Sequence, residues 1–375
     1  MKCSIGDILS LQRGYDLTKE EMKGGVIPVV GSNGIIGFHN IFNVEKPVIT
    51  LGRSGTVGIP HLYEENCWVH NTALFVTDFK GNNPYYLYYL LQVININQVA
   101  TSTGVPTLNR NFVYPLKIQF EMDLNNQNKI ASILSSIDVQ IKRNNEMVQK
   151  LQVLTQSIYS FWFNQFEFPN EEGKPYKSSG GEMVWNEELK KLIPKNWTIL
   201  KLKDILKRVN VNVENDISLP TIDLSVMPAE NISLNSLNNS DNFTSNLNRM
   251  FEGNILFGSI RPYLKKCGIA PCNGAVAGTV YQFEEIKKKT YNYSVITMSQ
   301  NSFFEYALKK SKGTRMPVVS ADDLLEYSFP YNEKIFNLFN ELPLKKIIVK
   351  TNKSSKELIQ LKEKLLPLLI NGQLI

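Results

Sequence analysis

Few residues in this chain stand at spacings that could carry bond-making chemistry. Gly31-Ser32-Asn33-Gly34-Ile35-Ile36-Gly37 and Gly52-Arg53-Ser54-Gly55-Thr56-Val57-Gly58 have the glycine density of a loop that cradles phosphate. Neither ends in Gly-Lys-Ser/Thr or keeps a dinucleotide-binding spacing, so tight turns that use glycine's positive φ are the better reading. His39, His61 and His70 show no zinc spacing, and Cys267 with Cys272 lacks a second cysteine pair. Asn83-Pro84-Tyr85-Tyr86 imitates the Asn-Pro-Pro-Tyr of amino-methyltransferases, but the second proline and a preceding glycine-rich turn for S-adenosylmethionine are missing. Pro84 suits the first position of a helix instead. No catalytic centre, metal site or cofactor site is expected.

The elements that must position any remaining function can be read next. A chain of 375 residues predicts two domains, and 43% hydrophobic with 20% charged residues predicts that they are globular. Lys and Arg number 41 against 35 Asp and Glu, a net charge of +6, which permits a polyanionic partner without requiring one. Cys3, Cys67, Cys267 and Cys272 are too scattered for a disulfide framework. The N-terminus has no apolar signal core, and no later run approaches the roughly 18 apolar residues of a spanning helix. The expected location is the cytoplasm.

The chain repeats itself once. Val48-Ile49-Thr50 matches Ile255-Leu256-Phe257, and Thr72 to Val76 matches Thr279 to Phe283; residue 255 against 48 and 279 against 72 are both 207 apart. The Ser102 to Pro106 turn recurs as Lys312 to Pro317, and Lys129-Ile130 recurs as Lys334-Ile335. A period of half the chain means tandem duplication.

Each copy reads as strands and turns followed by one long helix. Ile130, Leu134, Ile137, Ile141, Asn144, Val148, Leu151, Thr155, Ile158 and Trp162 step by fours and threes, as a heptad seam does. From 130 to 162 that is roughly 50 Å of helix, more than a compact domain can cover. Leu344, Ile347, Thr351, Ser354, Leu358, Leu361, Leu365 and Leu368 supply a second seam, so an antiparallel pair of helices is expected. Asn144 would fix register, and Pro343 and Pro367 predict a late start or a kink in the second helix. Residues 167–196, rich in Pro, Gly, Ser and charge, read as a linker.

Gly6-Asp7-Ile8-Leu9, the Gly52 to Gly58 turn, Thr103-Gly104, Gln127-Asn128-Lys129-Ile130, Ser157 to Phe163, Ile193 to Trp197 and Leu365 to Gln373 occur in this order. With them the whole chain resembles the specificity subunits of type I restriction-modification systems. Ahead of the first helix, Glu121-Met122-Asp123-Leu124-Asn125-Asn126-Gln127 lacks the proline and glutamate of the family's usual Pro-x-x-Glu-Gln, which bears on where that helix starts. The resemblance implies an α+β fold in which two similar, β-rich target-recognition domains lie in a pseudo-two-fold arrangement, separated by an antiparallel coiled coil. It implies target-recognition domains at 1–122 and 197–331, spacer helices at 123–166 and 332–375, and the linker between. It further implies a non-catalytic subunit that reads a bipartite, asymmetric double-stranded DNA target and docks two methyltransferase subunits, with restriction and motor subunits joining through them. S-adenosylmethionine, ATP and magnesium would then belong to the partners only.

Base edges are read by guanidinium, amide and hydroxyl groups on loops that enter a groove, and lysines favour phosphate. Under that resemblance the DNA-binding candidates are Arg53, Ser54, Thr56 and His61, then Ser102, Thr103, Thr107 and Arg110, in the first copy. The matched loops of the second hold Ser259, Arg261, Tyr263, Lys265 and Lys266, then Lys312, Thr314 and Arg315. Lys345, Lys346, Lys350, Lys353 and Lys356 read either as a solvated helix face or as a contact with DNA or a methyltransferase subunit. Tyr159, Phe161, Trp162, Phe163 and Phe166 read either as core or as a subunit interface. Two other functions stay open: a coiled-coil scaffold that does not read DNA, and a recognition module from a single-chain DNA methyltransferase.

Overall fold

The computed structural model describes residues 2–100, 106–213, 218–243 and 247–374, and the chain forms two compact units, residues 1–140 with 358–375 and residues 141–357. In the first unit the strands are β1 (Lys2–Ser4), β2 (Ser10–Arg13), β3 (Ile27–Gly31), β4 (Gly34–His39), β5 (Val48–Gly52), β6 (Pro60–Tyr63), β7 (Trp68–Val69), β8 (Ala73–Asp78) and β9 (Lys117–Gln119), with helices α1 (Ile5–Ile8), α2 (Pro84–Val93) and α3 (Arg110–Val113). The long helix α4 (Leu124–Tyr159) runs on into the second unit. There the strands are β10 (Met183–Asn186), β11 (Lys191–Pro194), β12 (Thr198–Lys201), β13 (Leu206–Val209), β14 (Pro220–Ile222), β15 (Asn238–Asn239), β16 (Leu247–Met250), β17 (Ile255–Gly258), β18 (Cys267–Ile269), β19 (Gly274–Ala277), β20 (Val280–Glu285) and β21 (Ser328–Tyr331). Its helices are α5 (Tyr291–Met298), α6 (Asn301–Lys310), α7 (Ala321–Leu325) and α8 (Glu333–Phe339), before the long α9 (Leu344–Ile370).

The two units share one strand plan. The first has an antiparallel sheet β2-β8-β5-β6 and the second an antiparallel sheet β13-β20-β17-β18. Each has a second sheet containing one parallel pairing, β3 with β7 and β14 with β19, beside a hairpin partner, β4 or β15. Each pairs an early strand with its last, β1 with β9 and β12 with β21. The second unit adds β16 to its mixed sheet. β5 and β17, the central strands, are buried along their whole length, which fits their β-branched and apolar make-up, with Thr50 the one polar side chain among them.

Local sequence explains the helix starts. Asn83 accepts a hydrogen bond from the Tyr86 N–H at 3.0 Å and Pro84 follows it, so the methyltransferase-like word is an N-cap. At α4, Asp123 accepts from the Asn125 N–H at 2.7 Å. Gln127, 1% exposed, accepts from the Asn83 N–H at 2.9 Å and donates to Asn82 Oδ1 at 3.0 Å and to the Glu121 carbonyl at 2.8 Å. The helix therefore begins at Leu124, six residues before the apolar seam, and a buried amide ties its start to α2.

Pairing of the long helices is visible within each unit. In the first, Ile130, Ala131 and Leu134 share a core with Leu369 and Ile370, and Lys362 meets Asp138 at 2.8 Å. In the second, Val148 shares a core with Leu344 and Ile348, and Asn144 Nδ2 donates to Ser355 Oγ at 3.1 Å. Within each unit the residue numbers rise along α4 as they fall along α9, so the pairing is antiparallel. Each aliphatic side chain buried there contributes roughly 1.5–3 kcal/mol.

Three expectations need correction. On α9, Leu344 and Thr351 are buried and Leu358 and Leu365 half-buried, but the alternate positions of the seam fall one residue later. Ile348, Ser355 and Leu369 are buried, and Lys362 is half-buried, where Ile347, Ser354, Leu361 and Leu368 were expected; Leu361 is 45% and Leu368 37% exposed. Residues 332–375 are not one helix, because α8 ends at Phe339 and α9 starts directly after Pro343. Residues 167–196 are not a free linker: Phe168 and Ile193 are buried in the core of the second unit, and β10 pairs with β11 as a hairpin. The aromatic cluster belongs to that core through Tyr159, Phe163 and Phe166, with Trp162 half-buried and Phe161 42% exposed.

Candidate nucleic-acid interface

The loop that leaves the central strand is held the same way in both units. In the first, the Arg53 N–H donates to the Thr72 carbonyl at 2.9 Å while the Arg53 carbonyl accepts from Leu108 at 2.8 Å. In the second, the Ser259 N–H donates to the Thr279 carbonyl at 2.9 Å and its carbonyl accepts from Val319 at 3.0 Å. Two residues on, Gly55 donates to the Pro106 carbonyl at 3.2 Å, and Arg261 donates to that of Pro317 at 2.7 Å. The structural partner of Arg53 is thus Ser259, and the partner of Arg261 is Gly55. The two arginines of the matched loops therefore occupy different positions in the shared loop.

Gly55 and Arg261 share a left-handed backbone, with φ of 81° and 51°. Glycine adopts it freely, whereas arginine there costs about 1 kcal/mol. The Arg261 side chain is half-buried, and its Nε is buried without a hydrogen-bond partner. A left-handed arginine whose buried Nε has no partner is a costly arrangement for an ordinary turn. Lys265, also left-handed at φ 52°, forms an ion pair with Glu230, and Lys266 donates to the Leu224 carbonyl. Tyr263 between them is 51% exposed. Across the loop, Lys312 forms a backbone bridge with Val318, and Lys312, Thr314 and Arg315 are exposed. The second unit therefore gathers Arg261, Tyr263, Lys312, Thr314 and Arg315 at two adjoining loops.

In the first unit, Arg53 is half-buried and its Nη1 donates to the Asn71 carbonyl at 3.3 Å. Ser54 bridges to Thr107, Thr56 is exposed, and Arg110 at the start of α3 donates from Nη1 to the Leu11 carbonyl at 2.9 Å. Ser102 and Thr103 lie outside the described residues.

Two candidates are turned inward. Ser259 is 2% exposed and its hydroxyl donates to the Thr279 carbonyl at 2.8 Å, so it staples the loop. His61, on β6 opposite Thr50, is half-buried and stacks on Tyr63 with ring centroids 6.4 Å apart. Burial lowers its pKa, and its Nε2 is enclosed without a partner, so it offers no cation to phosphate at neutral pH.

An exposed apolar ridge on and beyond β4, with Ile35 at 50%, Phe38 at 51% and Ile41 at 54% exposure, had no counterpart among the predicted site residues. Consecutive apolar residues signal core unless the hairpin that lifts them out is known. Among the described residues, no group of three or more His, Cys, Asp or Glu side chains could hold a metal ion, and no helix is long and apolar enough to cross a membrane.

Residues 1–153 match the family described as the type I restriction modification DNA specificity domain. Over 310 residues the chain is 24% identical to the type I restriction enzyme MjaIX specificity subunit of Methanocaldococcus jannaschii, covering 77% of this chain and 68% of that protein. Its fold is similar to the crystal structure of a type I restriction-modification S subunit from M. genitalium, with a TM-score of 0.65 and 17% identity over 99% of this chain and 96% of that one.

Proposed function

We propose that this chain, which belongs with the type I restriction-modification specificity subunits, reads one half of a split double-stranded DNA target with each of its two units. The observation that carries the reading is the repeated strand plan with different side chains at matched loop positions, glycine at 55 and arginine at 261. Two readers of one build but different loop chemistry select two different sequences, so the target is asymmetric.

The chain performs no chemistry of its own. Methylation of an adenine requires the base to leave the stack, so the reaction falls to a separate methyltransferase delivered beside the site. Two methyltransferase subunits dock on the paired helices, restriction and motor subunits join through them, and S-adenosylmethionine, ATP and magnesium are bound by those partners. The setting is the cytoplasm, in keeping with four cysteines that are all free thiols. Methylome sequencing of the source organism with and without this gene tests the reading. Loss of one bipartite adenine-methylation motif is expected; survival of every motif would overturn it.

A further inference from the structure

The outward side of α9 in the second unit carries an unusual concentration of unpaired charge. Lys345, Lys346, Lys350, Lys353 and Lys356 are all exposed, and Glu357 is the only carboxylate on α9 between 344 and 357. At 100° per residue, Leu344, Ile348, Thr351, Asn352 and Ser355 form one buried arc. Asn352 turns that arc onto its unit by accepting from Ser233 at 2.8 Å and donating to the Leu234 carbonyl at 3.3 Å. On the same wheel Lys346, Lys350 and Lys353 lie opposite that arc, and Lys345 and Lys356 are exposed beside its Asn352 edge. None of them takes part in an ion pair among the described residues. Lys345 is placed over the Tyr291 ring, 4.7 Å from its centroid, which leaves Lys346, Lys350, Lys353 and Lys356 as the free set.

Building on the DNA reading above, we infer that Lys346, Lys350, Lys353 and Lys356 bind the phosphate backbone of duplex DNA, a contact independent of base sequence. The face bears charge and no large exposed apolar residue. By contrast, α4 in the same unit exposes Met147 at 46%, Val153 at 62% and Leu154 at 55%. Protein interfaces are centred on apolar and aromatic anchors and are poor in lysine, so the α4 surface suits a protein and the α9 surface suits a polyanion. Residues 345 to 356 span roughly 16 Å, and a duplex presents about ten phosphates over such a length. The face also edges a groove of about 600 Å³ whose two carboxylates are Glu252 and Glu285. Glu285 is committed to the backbone N–H groups of Thr290 and Tyr291, at 2.6 and 2.9 Å.

The test uses the full chain and a fluorescent duplex of random sequence, titrated from low to high NaCl. Compared are the wild type, K346Q/K350Q/K353Q/K356Q and the matching Lys→Arg variant, each checked for an unchanged melting temperature. Each phosphate contact contributes roughly 0.9 to the slope of log affinity against log salt. The Gln variant should flatten that slope by about 2 to 4 and bind at least about tenfold more weakly at low salt, while the Arg variant keeps the wild-type slope. An unchanged slope and affinity in the Gln variant overturns the inference. So does a Gln variant that binds DNA normally but no longer co-purifies with the methyltransferase subunit, since the face would then be a protein interface. If wild type still selects its target in either case, the DNA reading survives alone; wild type that binds no duplex sinks both.

Discussion

Lys362 donates from Nζ to both carboxylate oxygens of Asp138, at 2.8 Å each, and the Tyr89 hydroxyl donates to the same carboxylate at 2.7 Å. Lys362 also lies 5.2 Å from the centroid of the Tyr89 ring. One partly buried ion pair thus joins α9 to α4 and α4 to α2 within the first unit. Lys362→Met would leave Asp138 with one donor fewer and should lower stability by about 1–2 kcal/mol. Thermal unfolding of the variant measures this, and an unchanged melting temperature would show that the pair contributes nothing.

In the second unit, Asn144 and Ser355 form a buried hydrogen bond within a seam that also buries Val148, Leu344 and Ile348, an arrangement that favours register over stability. Ser355→Ala should cost about 1 kcal/mol. The double change Asn144→Leu with Ser355→Leu should raise the melting temperature while broadening the amide NMR spectrum of the helix pair. Equal sharpness in both proteins would show that the polar pair does not select the register.

Arg53→Ala and Arg261→Ala should each relax selection of one half of the DNA target and leave the other intact. Sequencing of selected duplexes reads this out, and loosening of both halves by either variant contradicts one reader per half.

Arg261→Gly separates folding from reading. Glycine relieves the left-handed strain, so stability should hold or rise by up to about 1 kcal/mol, while half-site selection falls as it does for alanine. A variant that selects its target normally would show the guanidinium to be dispensable.

His61 makes stability depend on pH. Burial lowers its pKa from the ordinary 6.5, so the folded unit holds the neutral ring. Below about 6.5 the unfolded chain takes up a proton that the folded state resists; this contribution is therefore full above that pH and is lost as pH falls. Melting temperatures of wild type and His61→Phe between pH 5 and 8 should diverge toward the acidic end. Parallel curves would place the acid sensitivity elsewhere.

Much of the architecture is written in local pattern. Matched words 207 residues apart imply one strand plan used twice, because β5 and β17 are central strands buried on both faces, where β-branched and apolar residues are favoured. Heptad stepping through Ile130, Leu134 and Ile137 foretells the long helix, since a seam depends only on helical geometry. The phase of the second seam is different in kind. Ile347 and Ile348 are equally apolar, and the tertiary contacts of Asn352 with Ser233 and Leu234 and of Ser355 with Asn144 hold α9 at the rotation that buries the later residue. In the same way Gly55 and Arg261 look unrelated as letters. They coincide because backbone hydrogen bonds to Pro106 and Pro317, some 50 residues distant in each copy, hold both loops in one conformation. Sequence alone determined the periods and the duplication, which arise between near neighbours and in the order of the chain. Which face turns inward, which histidine loses its water and which arginine is held under strain were decided by contacts between distant segments, and those exist only once the chain has packed.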